Sequence, residues 1–175
     1  STHSVCTDNI NAKVAQLASQ GINLGAKSGQ LNVVSASFCW QAFKSGRIHT
    51  GTTSTSATVA ITGTVLSKFA SLGYEAGFGQ ALAPVTDPGG IQRWRFRNGY
   101  IVVRPSYWTR AIRNPLSSQW VTAGGVARFG YPTGDQVTTP SGVSYSRLDN
   151  GLVLRTNELG EWIEQTAGAG RIAAI

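Results

Sequence analysis

The sequence predicts an α+β fold of three tandem units of about 52 residues, each a short helix followed by a β-hairpin, closed into a single pseudo-threefold domain. Three observations carry that expectation. Leu17, Phe69 and Trp120 lie 52 and 51 residues apart, and the turn glycines Gly46, Gly99 and Gly151 lie 53 and 52 apart; a period of this length marks repeat architectures. Asn98-Gly99 and Asn150-Gly151 stand between apolar runs, where a type I′ hairpin turn needs positive φ at both central residues. Finally, Ile10, Val14 and Leu17 recur at helical spacing before Gly21, as do Ile61, Val65 and Phe69 before Gly73 and Ile112, Leu116 and Trp120 before Gly124. The units run from about 10 to 60, 61 to 111 and 112 to 162, with a tail over 163–175.

Taken in order, residues 1–9 read as a polar arm whose Thr7-Asp8-Asn9 cluster caps a helix over 10–20, and Gly21 stops that helix. A glycine-rich loop leads to a strand over Phe38–Phe43, a turn at Ser45-Gly46 and a return strand Arg47-Ile48-His49. The second unit repeats the plan with strands over Ile91–Phe96 and Tyr100–Val103, the third with Val143–Leu148 and Leu152–Leu154. Ile163 falls where a fourth helix would start, but the chain then ends in Ile172-Ala173-Ala174-Ile175. An apolar tail is unfavourable in water, so it is expected to pack on the first unit and close the ring. An open stack is the alternative and would need polar caps at both ends.

Composition bounds the compartment and the chemistry. With 41% hydrophobic residues, 5 Trp, 5 Tyr and 6 Phe in 175 residues, the chain can bury a core and is not a disordered segment. Only 13% of residues are charged, below the roughly 25% of an ordinary domain, and the Ser/Thr/Asn/Gln-rich remainder fits an exported protein. Cys6 and Cys39 agree with that, since an even cysteine count in a secreted chain points to a bridge; two buried free thiols are the alternative. The start at Ser1 reads as a mature form after signal removal, and no stretch has the length to span a bilayer.

The inventory for catalysis is thin. The eight acids include one pair at corresponding positions, Asp87 and Asp135, in Pro-Val-Thr-Asp and Pro-Thr-Gly-Asp contexts where aspartate closes turns or caps amides. His49, just past a turn, reads as a surface residue, and His3 lies in the arm. No G-x-S-x-G elbow is present, and the cysteine and histidine spacing fits neither a metal site nor a cofactor. The sequence therefore reads as a non-enzyme.

Binding is better supplied. The net charge is +7, and Arg93, Arg95, Arg97, Arg104, Arg110 and Arg113 crowd into one stretch. On a strand, Arg93, Arg95 and Arg97 share one face and Trp94 and Phe96 the other. Three guanidinium forks make either an anion-attracting face or a solvated edge whose charge discourages aggregation. Trp94, Tyr107 and Trp108 supply faces for stacking beside them. Trp120 replaces Phe69 and Leu17 at one position and is a core residue; Trp40 is read as lying on a variable surface.

The third unit, with Trp120, Gly124-Gly125, Gly130-Tyr131-Pro132-Thr133 and Asp135 in a W-x3-GG-x4-G-Y-P-T-x-D order followed by Asn150-Gly151, resembles the LGFP repeat of secreted actinobacterial cell-wall proteins. The name-giving segment reads Arg128-Phe129-Gly130-Tyr131-Pro132. The second unit matches in part, with Pro84-Val85-Thr86-Asp87 displaced by an insertion after Gly79, and the first lacks the proline and aspartate. The resemblance spans nearly the whole chain. It implies a non-catalytic, secreted, cell-wall-associated module that binds wall polysaccharide or another anionic envelope component. The rival expectation is a secreted inhibitor or toxin-like effector that binds a protein partner through the Thr50–Thr58 loop. Nucleic acid is a poor partner for an exported, disulfide-bonded chain.

Overall fold

A computed structural model of the chain describes residues 1–156 and, as backbone only, 162–166. It is an α+β structure of small antiparallel sheets and a few helices. One order of elements occurs three times: helix, then a four-stranded sheet. The chain divides into two compact units, Ser1–Val85 with Trp94–Arg97, and Thr86–Arg93 with the chain from Asn98 onward.

In the first unit, helix α1 spans Thr2–Ser19, so the expected polar arm is helical. Ser1, not the Thr7-Asp8-Asn9 cluster, is the cap: its Oγ accepts the Ser4 N–H at 3.3 Å. The early turns are poor in strong helix formers. What holds them is packing, because Cys6, Ile10 and Leu17 are buried on one stripe and Cys6 is bonded to Cys39 with the two Cα atoms 6.3 Å apart. The expected disulfide is therefore present. Gly21, at φ +79°, follows the helix, a left-handed conformation that glycine adopts without steric cost.

Four strands follow, β1 (Lys27–Ser35), β2 (Phe38–Phe43), β3 (Gly46–Thr50) and β4 (Thr58–Ile61), paired in sequence order. The β2–β3 hairpin closes at Phe43 opposite Gly46, at the expected turn. Sequence reading missed β1, whose polar Lys-Ser-Gly-Gln-Leu-Asn shows no alternation, and β4. The helices α2 (Gly63–Ser71) and α3 (Tyr74–Phe78) come next. Ile61 ends β4 instead of starting α2: Thr62, extended at φ −139° and ψ 172°, stands between them, and Gly63 at φ +60° opens the helix. Leu17, Leu24, Phe43 and Ile48 pack with Ile10 in one cluster. Phe69 stacks on Phe96 with centroids 5.0 Å apart.

In the sheet of order β5-β6-β7-β8 the strands are β5 (Val85–Thr86), β6 (Gln92–Phe96), β7 (Gly99–Arg104) and β8 (Trp108–Arg113). The second unit continues with α4 (Leu116–Thr122), α5 (Gly125–Phe129) and the sheet of β9 (Val137–Thr138), β10 (Ser144–Arg147), β11 (Leu152–Thr156) and β12 (Trp162–Thr166). Ile112 belongs to β8 and Ile163 to β12; neither opens a helix. The core of this unit is built on Val102, Ile112, Leu116, Trp120, Phe129, Leu148 and Leu154, all buried, with Ser117, Ser146 and Thr156 buried beside them. The expected docking of the tail falls on residues 167–175, outside those described.

Candidate functional site

Strand β6 carries the arginine-rich stretch. Its pleat buries Phe96 and leaves Arg95 and Arg97 exposed, as a two-residue period requires. In the first unit, Arg95, Phe96 and Arg97 line a cleft of about 350 Å³ with Gln80 and Leu82. The backbone fixes its walls: Leu82 N–H donates to Arg95 O at 2.8 Å and Arg97 N–H to Gln80 O at 3.0 Å. The cleft thus has a cationic rim and an apolar floor.

Arg93 is differently employed. In the second unit its Nε and Nη2 each donate at 2.8 Å to the two oxygens of Asp87, and Tyr131 Oη donates to Asp87 Oδ2 at 2.7 Å. The hydrogen bond from Arg93, helped by that from Tyr131, holds the Asp87 carboxyl below its usual range. Burial, together with donation to the Asp87 carboxylate, pushes Tyr131 up to about 12. The Asp87 backbone closes a turn with Ile91 and Gly90. Asp135 Oδ1 accepts the Ala111 N–H of β8 at 2.9 Å, so the two aspartates hold structure in different ways.

Tyr107 and Trp108 lie where the chain enters β8. Tyr107 is 73% exposed, and the Arg104 guanidinium lies 4.1 Å from its ring centroid. Arg110 lies 4.1 Å from the Trp108 ring while its Nη1 donates to Pro132 O at 2.8 Å, and Trp108 in turn meets Tyr131 at 6.4 Å. Arginine over an aromatic face is an attractive arrangement. Here it presents flat rings edged with positive charge. Trp94, the remaining residue singled out in the sequence, is half-buried, and Trp120 is a core residue whose Nε1 donates to Gly130 O at 3.2 Å.

Sequence reasoning missed a polar cluster inside the first unit. His49 is 0% exposed, not a surface residue, because β3 is covered along almost its whole length. Ala81 N–H donates to His49 Nδ1 at 2.9 Å, so the ring proton sits on Nε2, which donates to Glu75 Oε2 at 2.9 Å. Arg47 completes the set, giving Nε and Nη2 to Glu75 at 2.9 and 2.7 Å. Its guanidinium lies between the rings of Trp40, at 4.4 Å, and Tyr74, at 4.1 Å. Burial lowers the His49 pKa despite the neighbouring Glu75. Burial alone would raise Glu75, but hydrogen bonds from His49 and Arg47 hold it below its usual value. Both histidine nitrogens are committed to structure. The one sequence signal is Arg47 and His49 alternating on a strand where apolar residues would be expected.

Against models of known protein families and against curated proteins, the chain gives no match. Among the described residues no group of three or more His, Cys, Asp or Glu side chains could hold a metal ion, and no helix is long and apolar enough to cross a membrane.

Proposed function

We propose that this chain is a secreted, non-catalytic binding module that attaches to the bacterial cell envelope through an anionic wall polysaccharide. The observation that carries the reading is the cleft of about 350 Å³ in which Arg95 and Arg97 flank Leu82 and Phe96. A carboxylate or phosphate on a glycan suits two guanidinium groups, and its C–H faces suit the apolar floor. The ring faces of Tyr107 and Trp108, edged by Arg104 and Arg110, supply further stacking surface of the same character. The resemblance to LGFP repeats, the three helix-then-sheet segments read as copies of one unit, and the Cys6–Cys39 bridge support the same assignment.

The test is cosedimentation of the protein with isolated cell walls, before and after chemical removal of the polysaccharide, at low and at physiological salt. Binding is expected to survive physiological salt, to vanish with the polysaccharide, and to weaken about tenfold in Arg95→Ala/Arg97→Ala. Binding lost to salt alone would reduce the attraction to net charge, and an unchanged double variant would remove the cleft from the binding surface.

One observation favours the protein-directed alternative. Asn9 Nδ2 donates to Thr50 Oγ1, Gly51 O and Thr53 O at 3.1, 3.4 and 2.9 Å, so part of the Thr50–Thr58 loop is held on α1, ready to present its tip. Capture of a soluble partner that Thr55→Asp abolishes, with no pelleting on walls, would decide for it.

A further inference from the structure

Strand β1 passes three residues where β2 offers one. Ser28 lies opposite Ala42 and Asn32 opposite Trp40, so Gly29, Gln30 and Leu31 share the single partner Gln41. Gly29 takes φ +75° within this bulge. Bulges leave ladder groups unpaired and often adjoin binding sites. Gln41 meets the loose ends: its Nε2 donates to the carbonyls of Ser28, Gly29 and Ala42 at 3.4, 3.1 and 3.0 Å.

That arrangement settles which way the amide points. Turned over, the Gln41 oxygen would face three carbonyl oxygens, with no donor among them. Among the described residues every hydrogen bond of the side chain therefore uses its nitrogen, and Oε1 is left for a donor from outside. Gln41 is only 3% exposed, and the space it borders is a half-open cleft of about 390 Å³ between α1 and β1. Thr7 and Ile10 form one wall and Lys27, Gly29 and Leu31 the other. The disulfide from Cys6, beside Thr7, to Cys39, two positions before Gln41, ties α1 to β2, the strand that carries Gln41.

We propose that this cleft binds one sugar residue of a glycan chain. Gln41 Oε1 accepts from a sugar hydroxyl or acetamido N–H, Ile10 and Leu31 meet the C–H face, and Lys27 at the mouth donates to a ring oxygen or pairs with an acidic substituent. An apolar molecule in the cleft would strip Oε1 of water and leave it without a donor, so a ligand of the same size that supplies one is selected over it. The volume lies at the small end of the roughly 300–1,000 Å³ usual for ligand sites, as suits one ring of a longer chain. The inference names a subsite of the glycan-binding reading and rests on it.

The test is NMR titration of the ¹⁵N-labelled chain with N-acetylglucosamine, galactose, arabinose and glucuronic acid in turn. At least one sugar is expected to give saturable shifts confined to Thr7, residues 27–31 and the Gln41 side-chain amide. Thr7→Phe, which fills the mouth, is expected to weaken them about tenfold, and Lys27→Ala, at an exposed position, about threefold. The proposal is overturned by the absence of saturable shifts with all four sugars, or by shifts that Thr7→Phe leaves unchanged while the rest of its spectrum is native. If Thr7→Phe does not fold, Lys27→Ala decides, and undiminished binding in it overturns the proposal. Wall cosedimentation keeps the two readings apart: a wild-type chain that pellets without sugar shifts refutes this cleft alone, and one that shows the shifts without pelleting supports the cleft while refuting wall attachment.

Discussion

The two units solve the same packing problem with opposite chemistry. After the turn glycine Gly46, strand β3 sends in Arg47, Ile48 and His49; after Gly99, strand β7 supplies Tyr100, Ile101 and Val102. The second residue of the five-residue helix is Glu75 in α3 and Val126 in α5. The first unit therefore encloses an Arg47–Glu75–His49 network among aromatic rings, with His49 5.0 Å from Phe38 and 5.5 Å from Phe69. The second packs apolar side chains around Trp120 and Phe129, and the polar residues buried in it among those described, Ser117, Ser146 and Thr156, are uncharged. An apolar core needs only to fill space. A buried ionic network must in addition satisfy every donor and acceptor, since desolvating charge is costly. The first unit is thus the one whose stability responds first as the pH falls.

The largest expected effect lies in the apolar unit. Trp120→Ala removes a fully buried ring that also meets Tyr100 at 5.6 Å, and a loss of about 4 kcal/mol is expected in urea unfolding. The shape of the acid stability profile should stay as it is in the wild type, because no group of the polar network is touched. A Trp120→Ala variant with a flattened acid profile would contradict the division between the cores.

Next comes the polar unit. Glu75 is the hub, its side chain 9% exposed and shared by Arg47 and His49. Glu75→Ala strands a guanidinium and an imidazole inside the unit, at an expected cost of about 3 kcal/mol. Replacing all three, Arg47→Met, His49→Val and Glu75→Val, writes the second unit's solution into the first and should recover most of that loss. Failure of the triple variant to exceed Glu75→Ala in stability would mean that the network does more than fill the core.

How much of this was legible follows from the range over which each feature is encoded. The hairpins were written locally, in Asn98-Gly99, Asn150-Gly151 and the alternation on either side, and they stand at the expected turns. Strands β5 and β9 are two residues long, too short for any period to show. The Ile61–Val65 and Ile112–Leu116 spacings imitated a helix face, yet each pair straddles a strand end and a helix start. Of the site residues, Arg95 and Arg97 could be placed by the pleat alone. The pairing of Arg93 with Asp87 and Tyr131, the last 44 residues from Asp87, could not, nor could the enclosure of His49 by Glu75 and Ala81, 26 and 32 residues away.

The acid limb tests the polar core without disrupting it. His49 has its pKa lowered from 6.5 in the folded chain, so the unfolded chain binds its proton first. Stability is complete above about pH 6.5 and declines as pH falls below it. Glu75, lowered from 4.5, adds a second decline below that pH, again because the unfolded state takes up the proton more readily. Amide exchange should therefore quicken in β3 and α3 between pH 6.5 and 4.5 while β7 and α4 hold their protection. Asp87, lowered from 3.8, touches the second unit only in stronger acid. His49→Val should flatten the upper part of this limb; a slope that persists in the variant would assign it to another group.

The smallest effect reverses the direction and belongs to the second unit. Tyr131 is raised from 10.0 to about 12, so the folded chain holds its proton where the unfolded chain has already lost it. The contribution is fully present below pH 10 and is lost as pH rises toward 12. The group is partly exposed, so solvent screens the interaction and the slope will be shallow. Tyr131→Phe removes the titrating proton together with its bond to Asp87. It should level the stability profile above pH 10 and leave the limb between pH 6.5 and 4.5 untouched. One unit would then be sensitive to acid through a histidine and a glutamate, the other to alkali through a tyrosine. An alkaline slope that survives in Tyr131→Phe would dissolve that contrast, because the loss would then lie with tyrosines common to both units.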